Sequence, residues 1–138
     1  MSSGKTLKIE AGSVFHIWCP SCKPPKWKFY VVASINPQVR YFLINTRPAA
    51  FQLADVQLAA HQVEMLEKDH GFLNHDSVID CSQLIGGPTA SELEDLHTQN
   101  EGVLLGRVIT STRRSVRHIV KESDLLSTKD IAAILAIW

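Results

Sequence analysis

The step Gly86-Gly87-Pro88 divides the chain into two parts with different hydrophobic rhythms, and this division restricts the fold more than any other feature. Before it, starting at Gly12, short β-branched and aromatic runs alternate with turn residues: Ser13 to Trp18, Phe29 to Ser34, Tyr41 to Asn45 and Ser77 to Cys81. Such runs suit pleated, half-buried strands. Asn36-Pro37-Gln38 punctuates the second and third runs as a hairpin, so the strands read as a meander. Residues 53–68 carry helix propensity and strand-like alternation together, with Val63 to Leu66 leaning to strand.

After Pro88 the signals are those of helix starts. Thr89 or Ser91 can cap a polar helix through SELEDLHTQ, whose early acidic residues suit the helix dipole. Ser111 or Thr112 can open a second helix, RRSVRHIVKE, that buries Val116, Ile119 and Val120. Ser127 with Asp130 three residues later resembles a capping box, with Asp in place of the usual Glu or Gln, and opens STKDIAAILAIW. Trp138 extends the apolar face of that last helix and is expected in the core, with a dimer contact as the alternative. The expected organisation is one α+β domain over residues 1–138, β-rich in 12–85 and helical in 88–138.

At 138 residues and 45% hydrophobic content, the chain can build a core without disulfides or metal. Its longest apolar runs fall far short of the ~20 residues of a membrane span, and MSSGKTLKIE lacks the apolar stretch of a signal peptide. A cytoplasmic protein with no membrane partner is expected. The odd set of three cysteines, Cys19, Cys22 and Cys81, fits a reducing compartment. Fourteen basic and 14 acidic residues cancel, so any site for a polyanion must be a local patch.

The motif Trp18-Cys-Pro-Ser-Cys22-Lys has the look of a thioredoxin-type redox site. That chemistry needs a helix after the first cysteine to lower its pKa. Here Pro24-Pro25 follows, and then a β-rich segment, which argues against it. Cys19 and Cys22 can instead form half of a zinc knuckle, which would need two more ligands from His16, His70, His75 or Cys81. No second Cys-x-x-Cys or His-x3-His pair supplies them, and two small cysteines in a strand-joining loop is the plainer reading, with no cofactor expected.

Gly12-Ser-Val-Phe, Lys28-Phe-Tyr-Val-Val-Ala-Ser, Phe42-Leu-Ile-Asn-Thr-Arg47, Leu73-Asn-His-Asp-Ser-Val-Ile-Asp80, Leu105-Gly-Arg-Val and the segment from Leu126 to Ile137 follow one another in this order. In order and spacing the chain resembles the PemK/MazF toxin family of toxin-antitoxin systems. The resemblance implies a small SH3-like antiparallel β-barrel followed by C-terminal helices, and a homodimer. It also implies a metal-independent endoribonuclease that cuts single-stranded RNA at short sequences and is blocked by an antitoxin protein. The family's catalytic hydroxyl falls on Thr46, and its catalytic arginine on Lys28, with Phe29 in place of the following proline. Arginine grips phosphate with a planar fork whereas lysine is a point charge, so Arg47 is the alternative anion-holding group, and loss of the nuclease site is a third outcome.

Metal-free RNA cleavage uses the neighbouring 2′-hydroxyl as nucleophile and asks the protein for a proton acceptor, a proton donor and positive charge. His16, Lys28, Thr46 and Arg47 are the candidates, each with an ordinary strand-end or surface role as the alternative. His75-Asp76-Ser77 does not make a triad, since strand neighbours point to opposite faces; Asp76 and Ser77 are expected to fix a turn. Lys23, Lys26 and Lys28 lie near Trp18 and Trp27, a combination that neutralises phosphates and stacks bases. Arg107, Arg113, Arg114, Arg117 and Lys121 form a second basic cluster, read as a solvated helix face unless it binds nucleic acid or an acidic antitoxin tail. A non-catalytic nucleic-acid or protein-binding module on the same fold is the competing function.

Overall fold

The computed structural model describes residues 7–46, 54–99 and 103–138. Among these residues the strands are β1 (Ser13–Cys19), β2 (Lys26–Ser34), β3 (Arg40–Asn45), β4 (Gln62–Met65), β5 (Ser77–Ile85) and β6 (Leu104–Arg107). The helices are α1 (Val56–Ala60), α2 (Ala90–Gln99), α3 (Thr110–Lys121) and α4 (Thr128–Leu135). The strands form one sheet in the order β4-β5-β3-β2-β1-β6, every neighbouring pair antiparallel. The ambiguous segment 53–68 holds both elements its pattern suggested, α1 and then β4.

Both faces of the sheet are covered, which is why β2 carries the unbroken apolar run Tyr30-Val-Val-Ala33 instead of alternating with polar residues. Val14, Val31, Phe42, Ile44 and Ile79 point to the first face and pack against Val116 and Val120 of α3 and Ile134 of α4. Phe15, Ile17, Tyr30, Val32 and Tyr41 point to the second face and pack against Leu93 of α2. Each buried side chain of this size contributes ~1.5–3 kcal/mol, so the two cores carry the stability.

The sheet curls but does not close. Register shifts at Val14/Phe15, Val32/Ser34 and Tyr41/Leu43 bend it, as bulges do. Its end strands, β4 and β6, remain apart, so the closed barrel expected from the sequence is corrected to an open half-barrel. The reason lies in the connection: only two residues separate the end of β6 from the start of α3, which packs on β4. A helix thus occupies the span the two edges would have to cross.

Helix ends locate the elements. Thr89 Oγ1 accepts the Glu92 N–H at 3.1 Å while Glu92 accepts the Thr89 N–H at 3.0 Å, a complete capping box for α2. Neither Ser111 nor Thr112 caps α3. Its N-cap is Ile109, whose N–H donates to Nε2 of the buried His70 at 3.2 Å. His70 Nδ1 lies 2.9 Å from the Leu66 carbonyl, which can only accept, so Nδ1 carries the proton. At α4, Ser127 Oγ accepts the Asp130 N–H at 3.1 Å, but the Asp130 carboxylate turns away to Arg40 at 2.8 Å. Trp138 packs partly buried on the first core, and its indole N–H donates to Ala33 O at 2.8 Å.

Candidate nucleic-acid interface

The β1–β2 register sets His16 opposite Phe29 and Trp18 opposite Trp27, so these four side chains share the first face. They form a continuous row. Trp18 meets Trp27 edge-on at 5.8 Å, Trp27 meets His16 at 5.3 Å, and His16 meets Phe29 at 4.9 Å. The inner end of the row packs on the core through Phe29, whereas Trp18 and Trp27 are 48% and 55% exposed. The hairpin presents them because β6 pairs only with Ser13 to Phe15. Two large rings in water, with the exposed Lys26 adjoining Trp27 in sequence and the exposed Lys23 in the same hairpin loop, are what a purely structural hairpin would avoid.

Trp27 separates two clefts and lines both. One, of about 190 Å³, is lined by Lys26, Thr46, Asn74, His75 and Ser77 among others. The other, of about 490 Å³, lies between β1 and α2, with His16, Trp18, Leu96 and Val103 in its wall. Burial lowers the pKa of His16 from the ordinary imidazole value, favouring its neutral form.

Thr46 and the lysine-rich end of β2 therefore meet in the smaller cleft, while His16 lines the larger one on the other side of Trp27. Lys26 and Lys28 stand opposite Cys19 and Ile17, both on the second face; what sets Lys28 apart is that its ammonium donates to Asn45 Oδ1 at 2.6 Å. Burial lowers its pKa, an effect partly offset by the thiol of Cys22. Lys28 borders the Thr46 cleft, but its ammonium is engaged by Asn45. Arg47 lies outside the described residues. Asn45 was not singled out in the sequence; only the β2–β3 register reveals that it faces Lys28.

Asp76 Oδ1 accepts the Glu67 N–H at 2.9 Å and Ser77 Oγ donates to His75 O at 3.1 Å, so both fix the entry into β5. The basic cluster on and before α3 is largely spent on its own chain. Arg107 donates to Ala11 O at 2.9 Å and faces Glu10 at 3.8 Å. Arg113 stacks over the Trp138 ring at 5.6 Å, and Arg117 donates to Leu135 O at 3.0 Å, capping α4.

In the β1–β2 loop the Cys22 thiol donates to Cys19 Sγ at 2.8 Å, and Ser21 Oγ lies 3.4 Å from Cys19 Sγ. Burial pushes the Cys19 thiol up, but hydrogen bonds from Cys22, Ser21 and Tyr30 outweigh it and bring it down to about 7. Cys22 is raised by burial and by its bond to Cys19. As zinc ligands the two remain half a site. Among the described residues no three His, Cys, Asp or Glu side chains gather to hold a metal. Cys81 is sealed in the first core while Cys19 belongs to the second, both ring nitrogens of His70 are bonded, and His16 points to the face opposite Cys19.

No family model, no curated protein and no solved structure matches the chain. What it can do is read from this geometry.

Proposed function

We propose that the chain binds single-stranded RNA along the Trp18–Trp27 edge, on a fold akin to the PemK/MazF toxins it resembles. The observation that carries this reading is the pair of exposed indoles beside Lys23 and Lys26 on a protein with no net charge. Stacking of a base on an aromatic side chain contributes ~1–3 kcal/mol, and two lysines meeting phosphates give a slope of about −1.4 in log K against log salt. Titrating the protein with a mixed-sequence single-stranded RNA pool, followed by indole fluorescence, tests it. Trp27→Ala is expected to weaken binding by ~5- to 150-fold. Binding that is indifferent to Trp27→Ala and to Lys26→Ala would move the interface elsewhere.

The second reading, cleavage of the bound RNA without metal, is favoured by the neutral imidazole of His16 in the same aromatic row. On that reading His16 accepts the 2′-hydroxyl proton, and Thr46 with Lys26 faces the phosphate from the smaller cleft, since the Lys28 ammonium is held by Asn45. An antitoxin protein would then compete for the lysine-rich edge, and a homodimer would present two such edges. The same RNA pool incubated in chelator separates binding from cleavage: products that vanish in His16→Ala or Thr46→Ala identify an endoribonuclease, and intact RNA leaves a binding module.

A further inference from the structure

The β1–β2 loop carries a second chemical feature that RNA binding does not use. Cys19 closes β1 opposite Lys26, and the connection that follows folds back so that the Cys22 and Cys19 sulfurs touch at 2.8 Å. Cys19 is buried at 2% exposure, whereas Cys22 is partly open to solvent. Ser21 and Tyr30 add hydroxyl donors to the Cys19 sulfur, and Lys26 and Lys28 stand on the same face of the sheet. A thiol pair with donors and cations around it holds a shared negative charge readily, and the charge belongs to the pair rather than to one sulfur.

We propose that Cys19 and Cys22 are a thiol–disulfide modification site that closes to an intramolecular bond by exchange with low-molecular-weight disulfides of the glutathione type. In the singly deprotonated pair the proton shared between the two sulfurs moves onto Cys19, and Cys22, the accessible sulfur, attacks one sulfur of the small disulfide as the thiolate. That S–S bond breaks, a mixed disulfide forms on Cys22, and the first small thiolate leaves and takes up a proton. Cys19 then gives up its proton and attacks the Cys22 sulfur, expelling the second small thiolate. Two protein thiols are oxidised, one small disulfide is reduced to two thiols, and no other oxidant is needed. Cys81 takes no part: it is fully buried in the first core, and burial raises its thiol pKa well above the ordinary value.

This inference does not depend on the RNA reading. Incubating the native protein with glutathione disulfide and then measuring intact mass and free thiols tests it. The expected product has lost two of its three thiols, retains no glutathione, keeps Cys81 free, and reverts fully with dithiothreitol. Cys19→Ser should stop the reaction at one glutathione held on Cys22, and Cys22→Ser should carry none, with unchanged circular dichroism showing that both variants fold. A wild-type protein that keeps a stable glutathione adduct, keeps all its thiols, or reacts only after zinc is stripped by a chelator would overturn the proposal.

Discussion

At His16 the rings of Trp27 and Phe29 displace water, and the neutral imidazole is favoured. A histidine whose pKa is lower folded than unfolded binds more protons in the unfolded chain over the interval between the two values. Its contribution to stability is therefore complete above the ordinary imidazole pKa and is lost as the pH falls through the lowered one. Urea unfolding of wild type and His16→Phe at neutral and mildly acidic pH should show the wild type losing stability relative to the variant on acidification; parallel curves would mean the ring is as well solvated as in the unfolded chain. The sequence placed Trp18 and Trp27 near Lys23, Lys26 and Lys28, but not which of these side chains share a face or stand in water. Which face a strand residue takes depends on a register of one, and Lys26 and Lys28, each one step from Trp27 in sequence, both lie on the other side of the sheet, where Asn45 holds the Lys28 ammonium.

Among the elements, α2 shows how a local signal and a long-range need coincide. Its capping box holds the start of a helix whose buried Leu93 closes the second core. Thr89→Ala removes the hydroxyl acceptor of that box and should lower stability by ~1 kcal/mol in chemical denaturation, with the spectroscopic signature of the native state unchanged. This cap was legible because its partners are three residues apart. The α3 cap was not, since the acceptor is the imidazole of His70, 39 residues back along the chain. Strand β6 was equally hidden: Leu-Leu-Gly-Arg is short, and Gly106 weakens its strand signal. The glycine has a packing reason, as a Cβ there would come within 3.0 Å of the Phe72 ring.

For the molecule as a whole, the α+β class was readable from periodicity, but β6 lies beyond Gly86-Gly87-Pro88 in the part expected to be helical, and the failure of the sheet to close was not readable. Closure depends on where the last strand lands relative to the first, and here α3 fills that space. Trp138 ties the C-terminal helices to the centre of the sheet, through its bond to Ala33 O and the stacking of Arg113. Trp138→Phe would leave the Ala33 carbonyl without that donor at a mostly dry position and should cost ~1–3 kcal/mol. If the sheet and helices form one cooperative unit, circular dichroism and indole fluorescence should shift to the same lower midpoint; separate midpoints would show that α4 detaches first.

The two end strands, β4 and β6, are four residues long each, the shortest of the six. A neighbouring molecule that tried to zip onto either margin would find only a few backbone groups to grasp before the template ran out. Concentrated solutions of the folded protein should accordingly resist fibril growth by strand stacking.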